Sequence, residues 1–100
     1  MILHKEIQRL KQQLLFLGAL IEERVNLAVK SVDQRDQVLA QRVIDGDAEI
    51  DQMEVDLEEE CLKVLALHQP VAIDLRIIIA VLKINSDVER IGDHDLDRAA

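Results

Sequence analysis

Aromatic side chains are nearly absent from this 100-residue chain: Phe16 stands alone, with no Trp and no Tyr. Turn formers are scarce too, at three Gly and one Pro. Yet 49% of the residues are hydrophobic, so the core is ample and aliphatic. Together these features exclude a many-turned sheet and favour a few long helices in one domain. Cys61 has no second cysteine to join, which rules out a disulfide framework and makes the cytoplasm the natural compartment. Positive charge is in deficit: 12 Lys and Arg against 20 Asp and Glu, for a net charge of -8. The cations are scattered rather than clustered. That excludes nucleic acid, which needs a basic face. It equally excludes simple attraction to an anionic membrane surface. No secretory leader is visible, because Met1 to Lys11 is amphipathic rather than an apolar block. The longest apolar stretch, Val71 to Ile84, is broken by Asp74, Arg76 and Lys83. It is too short and too charged to span a bilayer, and reads as a helix buried on most sides.

What is present is helical periodicity. Ile7, Leu10, Leu14, Leu17, Ile21, Val25, Ala28 and Val32 step by three or four residues, which predicts a first helix from about His4 to Val32. Gly18 interrupts it mildly and offers a neighbour close approach. The polar stretch Ser31 to Asp36 is the first turn, with Asp33 or Asp36 available to cap the second helix. That helix spans about Gln37 to Leu67, on a stripe of Leu39, Val43, Ile50, Leu57, Cys61 and Val64. Asp47 and Glu54 fall within that stripe and Asp51 on its shoulder. Gly46 costs a helix interior about 1 kcal/mol relative to Ala, so helix contact or room for an ion is expected there. His68-Gln69-Pro70 is the second turn, and a third helix runs from about Pro70 to the end. Asp74 then lies in its first turn, where the helix dipole favours an acid.

Three rods of about 45 Å joined by short turns make an all-α antiparallel three-helix bundle. At roughly 100° per residue, Leu75, Ile78, Leu82, Glu89 and Asp93 share one stripe of the third helix. Counting outward from the turns puts Glu22, Asp47, Asp51, Glu89 and Asp93 at a common level. Carboxylates on a core-facing stripe are costly unless a cation pairs with them. Glu89 and Asp93 therefore have two readings: pairing with Arg24, Arg76 or Arg90, or binding of a metal ion. Asp47 and Asp51 divide likewise between exposed helix face and metal. Four-residue spacing lets two carboxylates reach one ion, and hard oxygens suit magnesium, calcium, manganese or iron. Glu54 is expected to be a structural partner for Arg76 or Lys83, Glu22 and His68 to be surface, and Cys61 core. No Ser-His-Asp set, Gly-rich phosphate loop or E-x-x-H pair appears.

The run Gln69-Pro70-Val71-Ala72-Ile73-Asp74-Leu75-Arg76, followed by Val88-Glu89-Arg90-Ile91-Gly92-Asp93, resembles the PhoU family of phosphate-regulon regulators. Arg42-Val43-Ile44-Asp45-Gly46-Asp47 and Met53-Glu54 add to the likeness, which covers nearly the whole chain. The resemblance implies a unit of three helices over residues 1–100, where fuller members carry two such units. The chain is then either a fragment or a half-length form that pairs with another copy. It also implies a metal, iron or zinc, held by E/D-x-x-x-D motifs, which here are Glu89 to Asp93 and Asp47 to Asp51. The tail departs from the family: Asp97 stands where Asn is expected. The implied function is non-enzymatic. It is a cytoplasmic regulator between the ATPase subunit of the phosphate ABC transporter and a sensor histidine kinase, restraining the phosphate-starvation response and uptake. The aliphatic surplus adds an expectation of a homodimer or higher self-association. The alternatives are a carboxylate-bridged metalloenzyme and a metal-free helical scaffold.

Overall fold

A computed structural model describes residues 2–99, with side chains described through residue 90. Four helical segments run in order: α1, Ile2–Gln34; α2, Gln37–Asp45; α3, Asp47–His68; and α4, Ala72–Ala99. They form the three expected rods, since α2 and α3 are one rod interrupted at Gly46. Hydrogen bonding barely lapses there: Gly46 N–H donates to Arg42, and Ile50 N–H donates to the Gly46 carbonyl. The particle measures 50 × 17 × 16 Å, the length of one uninterrupted helix of 33 residues.

The two chain reversals are built differently, and their sequences say why. At the first, Arg35 takes a left-handed φ of 52°. Arg35 N–H then donates to Val32 (3.2 Å) and Asp36 N–H to Ser31 (2.9 Å), which is a Schellman ending. Asp36 also starts the next helix, its carboxylate accepting from Leu39 N–H at 3.1 Å. One residue thus closes α1 and caps α2, and the turn contracts to two residues. At the second reversal Gln69 is left-handed, and its N–H reaches the Leu65 carbonyl at 3.1 Å. Pro70 comes next and has no N–H for a second bond, so only the single-bond ending forms. Pro70 is buried in the turn rather than in a helical first turn, because Ala72 is itself left-handed and α4 begins there.

Arg35 holds its left-handed backbone without being glycine, a strain of about 1–2 kcal/mol. Arg35→Gly is therefore expected to stabilise the fold by about 0.5–1 kcal/mol, against glycine's greater unfolded-state entropy. A thermal melt that shows no gain would mean the turn is not held in this geometry.

The core runs the length of the bundle. Ile7, Leu10, Leu17 and Ile21 of α1 meet Ile50, Leu57, Cys61 and Val64 of α3 and Ile78 and Val81 of α4. Leu14 and Val25 pack against it from the side. Val32 is exposed, and Ser31 takes the buried position instead, its hydroxyl donating to the Ala28 carbonyl at 2.7 Å. Cys61 is fully buried, and burial, helped by Glu60 and Glu58, pushes its thiol up to about 11. It stays protonated and inert at neutral pH. Gly18 does not mark a close helix approach: a side chain there would meet open space.

Candidate functional site

The acidic residues divide between two places. The first is the break between α2 and α3. Arg24 reaches across from α1 with only 13% of its side chain exposed. Its Nη2 donates to the Val43 carbonyl at 2.9 Å, and Nη1 lies 3.3 Å from Asp47 Oδ1. Gly46 sits at the same point: a Cβ added there would lie 3.9 Å from Arg24 Nε. The expected helix contact at Gly46 is this guanidinium. Among the described residues Arg24 therefore serves Asp47 and not Glu89, one of the acids the ion-pair reading gave it.

The second place is the groove between α3 and α4. Asn85 of α4 is 4% exposed, and its Nδ2 donates to the Glu54 carbonyl at 3.0 Å. Its Oδ1 is equally buried and meets no donor. A buried acceptor in that state costs the fold about 1–3 kcal/mol. The groove beside it, a cavity of about 260 Å³, is lined by Glu58, Leu62, Leu82, Asn85, Ser86 and Glu89.

The Asn85–Glu54 contact fixes the register of these two antiparallel helices. Counting along both puts Glu89 opposite Ile50 and Asp51, the level that the sequence predicts. The direction of the side chain differs. Glu89 is exposed, not on a core-facing stripe. Residues seven apart lag a straight helix by about 20° per heptad. Leu75, Leu82 and Glu89 therefore drift off the core line, which passes through Ile78, Val81 and Asn85 with Val88 packed beside it. Asp51 and Glu22 are exposed, and Glu54 is buried in α3. Arg76 is exposed and His68 ends α3 at the surface. The side chains of Asp93, His94 and Asp97 lie outside the described residues.

For a metal the fit is uneven. Among the described residues no three His, Cys, Asp or Glu gather as a ready ligand set. Asp47 is already engaged by Arg24, so a cation there competes with a guanidinium. Glu89 stands open to water with hard carboxylate oxygens.

Sequence reasoning missed Asn85 and the bridging role of Arg24. Asn85 was detectable: it falls three or four residues from Val81 and Val88 on the apolar stripe, where an amide needs a partner. Arg24 carried no such signal, because its acceptor is a backbone carbonyl exposed by a helix break that periodicity does not show.

These elements define an all-α bundle of three antiparallel rods with an acidic surface and a polar tie in its α3–α4 seam. Among the described residues no helix is long and apolar enough to cross a membrane. The chain belongs to the PhoU family: the PhoU domain matches residues 14–97. It is 46% identical over 88 residues to the phosphate-specific transport system accessory protein PhoU homolog of Pseudomonas putida, covering 88% of this chain and 34% of that protein. The homolog from Aquifex aeolicus (strain VF5) is 42% identical over 93 residues, 93% of this chain and 42% of that one. The Edwardsiella tarda protein of the PhoU name is 39% identical over 88 residues, 88% of this chain and 36% of that one. The chain thus spans about a third to two-fifths of the length of the curated relatives it matches.

Proposed function

We propose that this chain is a PhoU-type regulatory unit of phosphate signalling. In this reading it is cytoplasmic and non-enzymatic, and couples the ATPase subunit of a phosphate ABC transporter to a sensor histidine kinase. Through these partners it limits phosphate uptake and restrains the starvation response. The observation that carries the reading is family membership across all three rods, among relatives named for the phosphate transport system. The surface supports docking. Leu67, Val71 and Ile73 flank the second turn, and Val29, Val32 and Val38 surround the first, all exposed. Aliphatic ends of this kind favour association, here with a second copy or with a partner. Tagged chain is expected to retain the transporter ATPase and the kinase in a pulldown with purified components. Retention of neither would remove this function and leave a helical scaffold.

Metal binding belongs to the same proposal. Glu89 with Asp93, and Asp47 with Asp51, are the donor pairs, and iron, zinc, magnesium or manganese is the ion class. Glu89→Ala with Asp93→Ala is expected to lower bound metal, measured by elemental analysis, while leaving the helical circular dichroism signal intact. Loss of helical signal in that variant would make the two acids structural.

A further inference from the structure

We propose that the α3–α4 groove is a receptor for one basic side chain, an arginine or lysine, presented by a protein partner. Its polar lining is the carboxylates of Glu58 and Glu89, the Ser86 hydroxyl and Asn85, whose buried Oδ1 meets no donor. Among the described residues no cation lines it. An anion would meet two carboxylates with only the Ser86 hydroxyl to donate to it, whereas a positively charged hydrogen-bond donor suits the carboxylates, the hydroxyl oxygen and the amide oxygen alike.

Two features choose a side chain over a bare metal ion. The walls are Leu62 and Leu82, aliphatic surfaces that match the methylene stem of Lys or Arg. The cavity, about 260 Å³, is far larger than one ion, and hard cations need several oxygens at bonding distance. Asn85 adds a geometric anchor. Its Nδ2 is fixed on the Glu54 carbonyl, so its Oδ1 is held in place and waits for a donor. A guanidinium supplies several donors in one plane and can meet the amide oxygen and a carboxylate together. The net charge of -8 steers a basic partner toward this surface. The groove shares Glu89 with the proposed metal position but takes Glu58, Ser86 and Asn85 from elsewhere. The inference deepens the partner reading above by naming the partner's chemistry. Its test needs neither the transporter nor the kinase, so the two can fail separately.

The probe is N-acetyl-arginine amide, titrated into ¹⁵N-labelled chain at about 0.15 M ionic strength to screen diffuse attraction. Saturable shifts are expected at the Asn85 side-chain amide and at Leu62, Ser86 and Glu89, with none for N-acetyl-leucine amide. Glu58→Gln with Glu89→Gln is expected to weaken binding about tenfold, since charge-assisted hydrogen bonds are lost. Glu58→Gln alone should weaken arginine binding while leaving metal content unchanged. Three outcomes would overturn the proposal. One is shifts that rise without saturating over all acidic surfaces. The second is binding indifferent to the double variant. The third is MgCl₂ moving these signals where the arginine amide does not.

Discussion

Ile78→Ala is expected to destabilise the bundle by about 3 kcal/mol, a large share of the margin of a small domain. Ile78 has no exposed surface and sits where α4 meets both other rods. Removing three carbons there loses their transfer from water and leaves a cavity, because Leu17 and Cys61 are equally enclosed and have little freedom to close it. The next residue supplies the contrast. Ile79 is 51% exposed, about 100° around the same helix. Ile79→Ala should change stability by no more than about 0.5–1 kcal/mol. Urea melts of both variants decide the matter. Equal losses would mean that α4 is rotated from the position described, and a loss below about 1 kcal/mol at Ile78 would mean the core collapses onto the gap.

How far the sequence exposes this architecture depends on the length over which each signal is summed. Rod number and order are legible because α1 and α3 repeat apolar residues over many turns, so single errors average out. The α3–α4 register is legible for a related reason: two short reversals leave little freedom, and Asn85 meets Glu54 within one residue of the predicted height. Azimuth is less so. A stripe followed in steps of seven accumulates a small lag, and by Glu89 the lag has carried the side chain from seam to solvent. At the first turn the predicted partner level on α1 lay at Glu22, whereas Arg24 is the residue that meets Asp47. The difference comes from Asp36, which both ends α1 and caps α2, and so shortens the reversal. Asp47, Asp51 and Glu89 were legible as candidates, but which of them share a site is not written in their spacing. Their grouping depends on which cation reaches them, and Arg24 commits to Asp47 through a backbone acceptor invisible to any spacing rule.

Arg24→Ala should cost about 2 kcal/mol and should also change what Asp47 can do. The last carbonyls of α2 have no helical partners of their own. Gly46 N–H takes those of Arg42 and Ile44, and Arg24 takes that of Val43 from another helix. Truncation strips a charged donor from a part-buried carbonyl, a loss of about 1.5–3 kcal/mol. The Asp47 contact adds little to this, since about a third of that carboxylate is in water. Arg24→Lys recovers only part of the loss, because one ammonium at the end of a flexible stem does not span both acceptors as the planar fork does. The second consequence has the opposite sign. Asp47 released from its guanidinium regains full negative charge toward any ion, one turn from Asp51. If these two acids hold metal, Arg24→Ala lowers the melting temperature and tightens Mn²⁺ binding in the same protein, as read by thermal melt and calorimetry. A variant that melts earlier with manganese affinity unchanged assigns Asp47 to the helix junction alone. One that melts unchanged removes the bridge across the α2–α3 break.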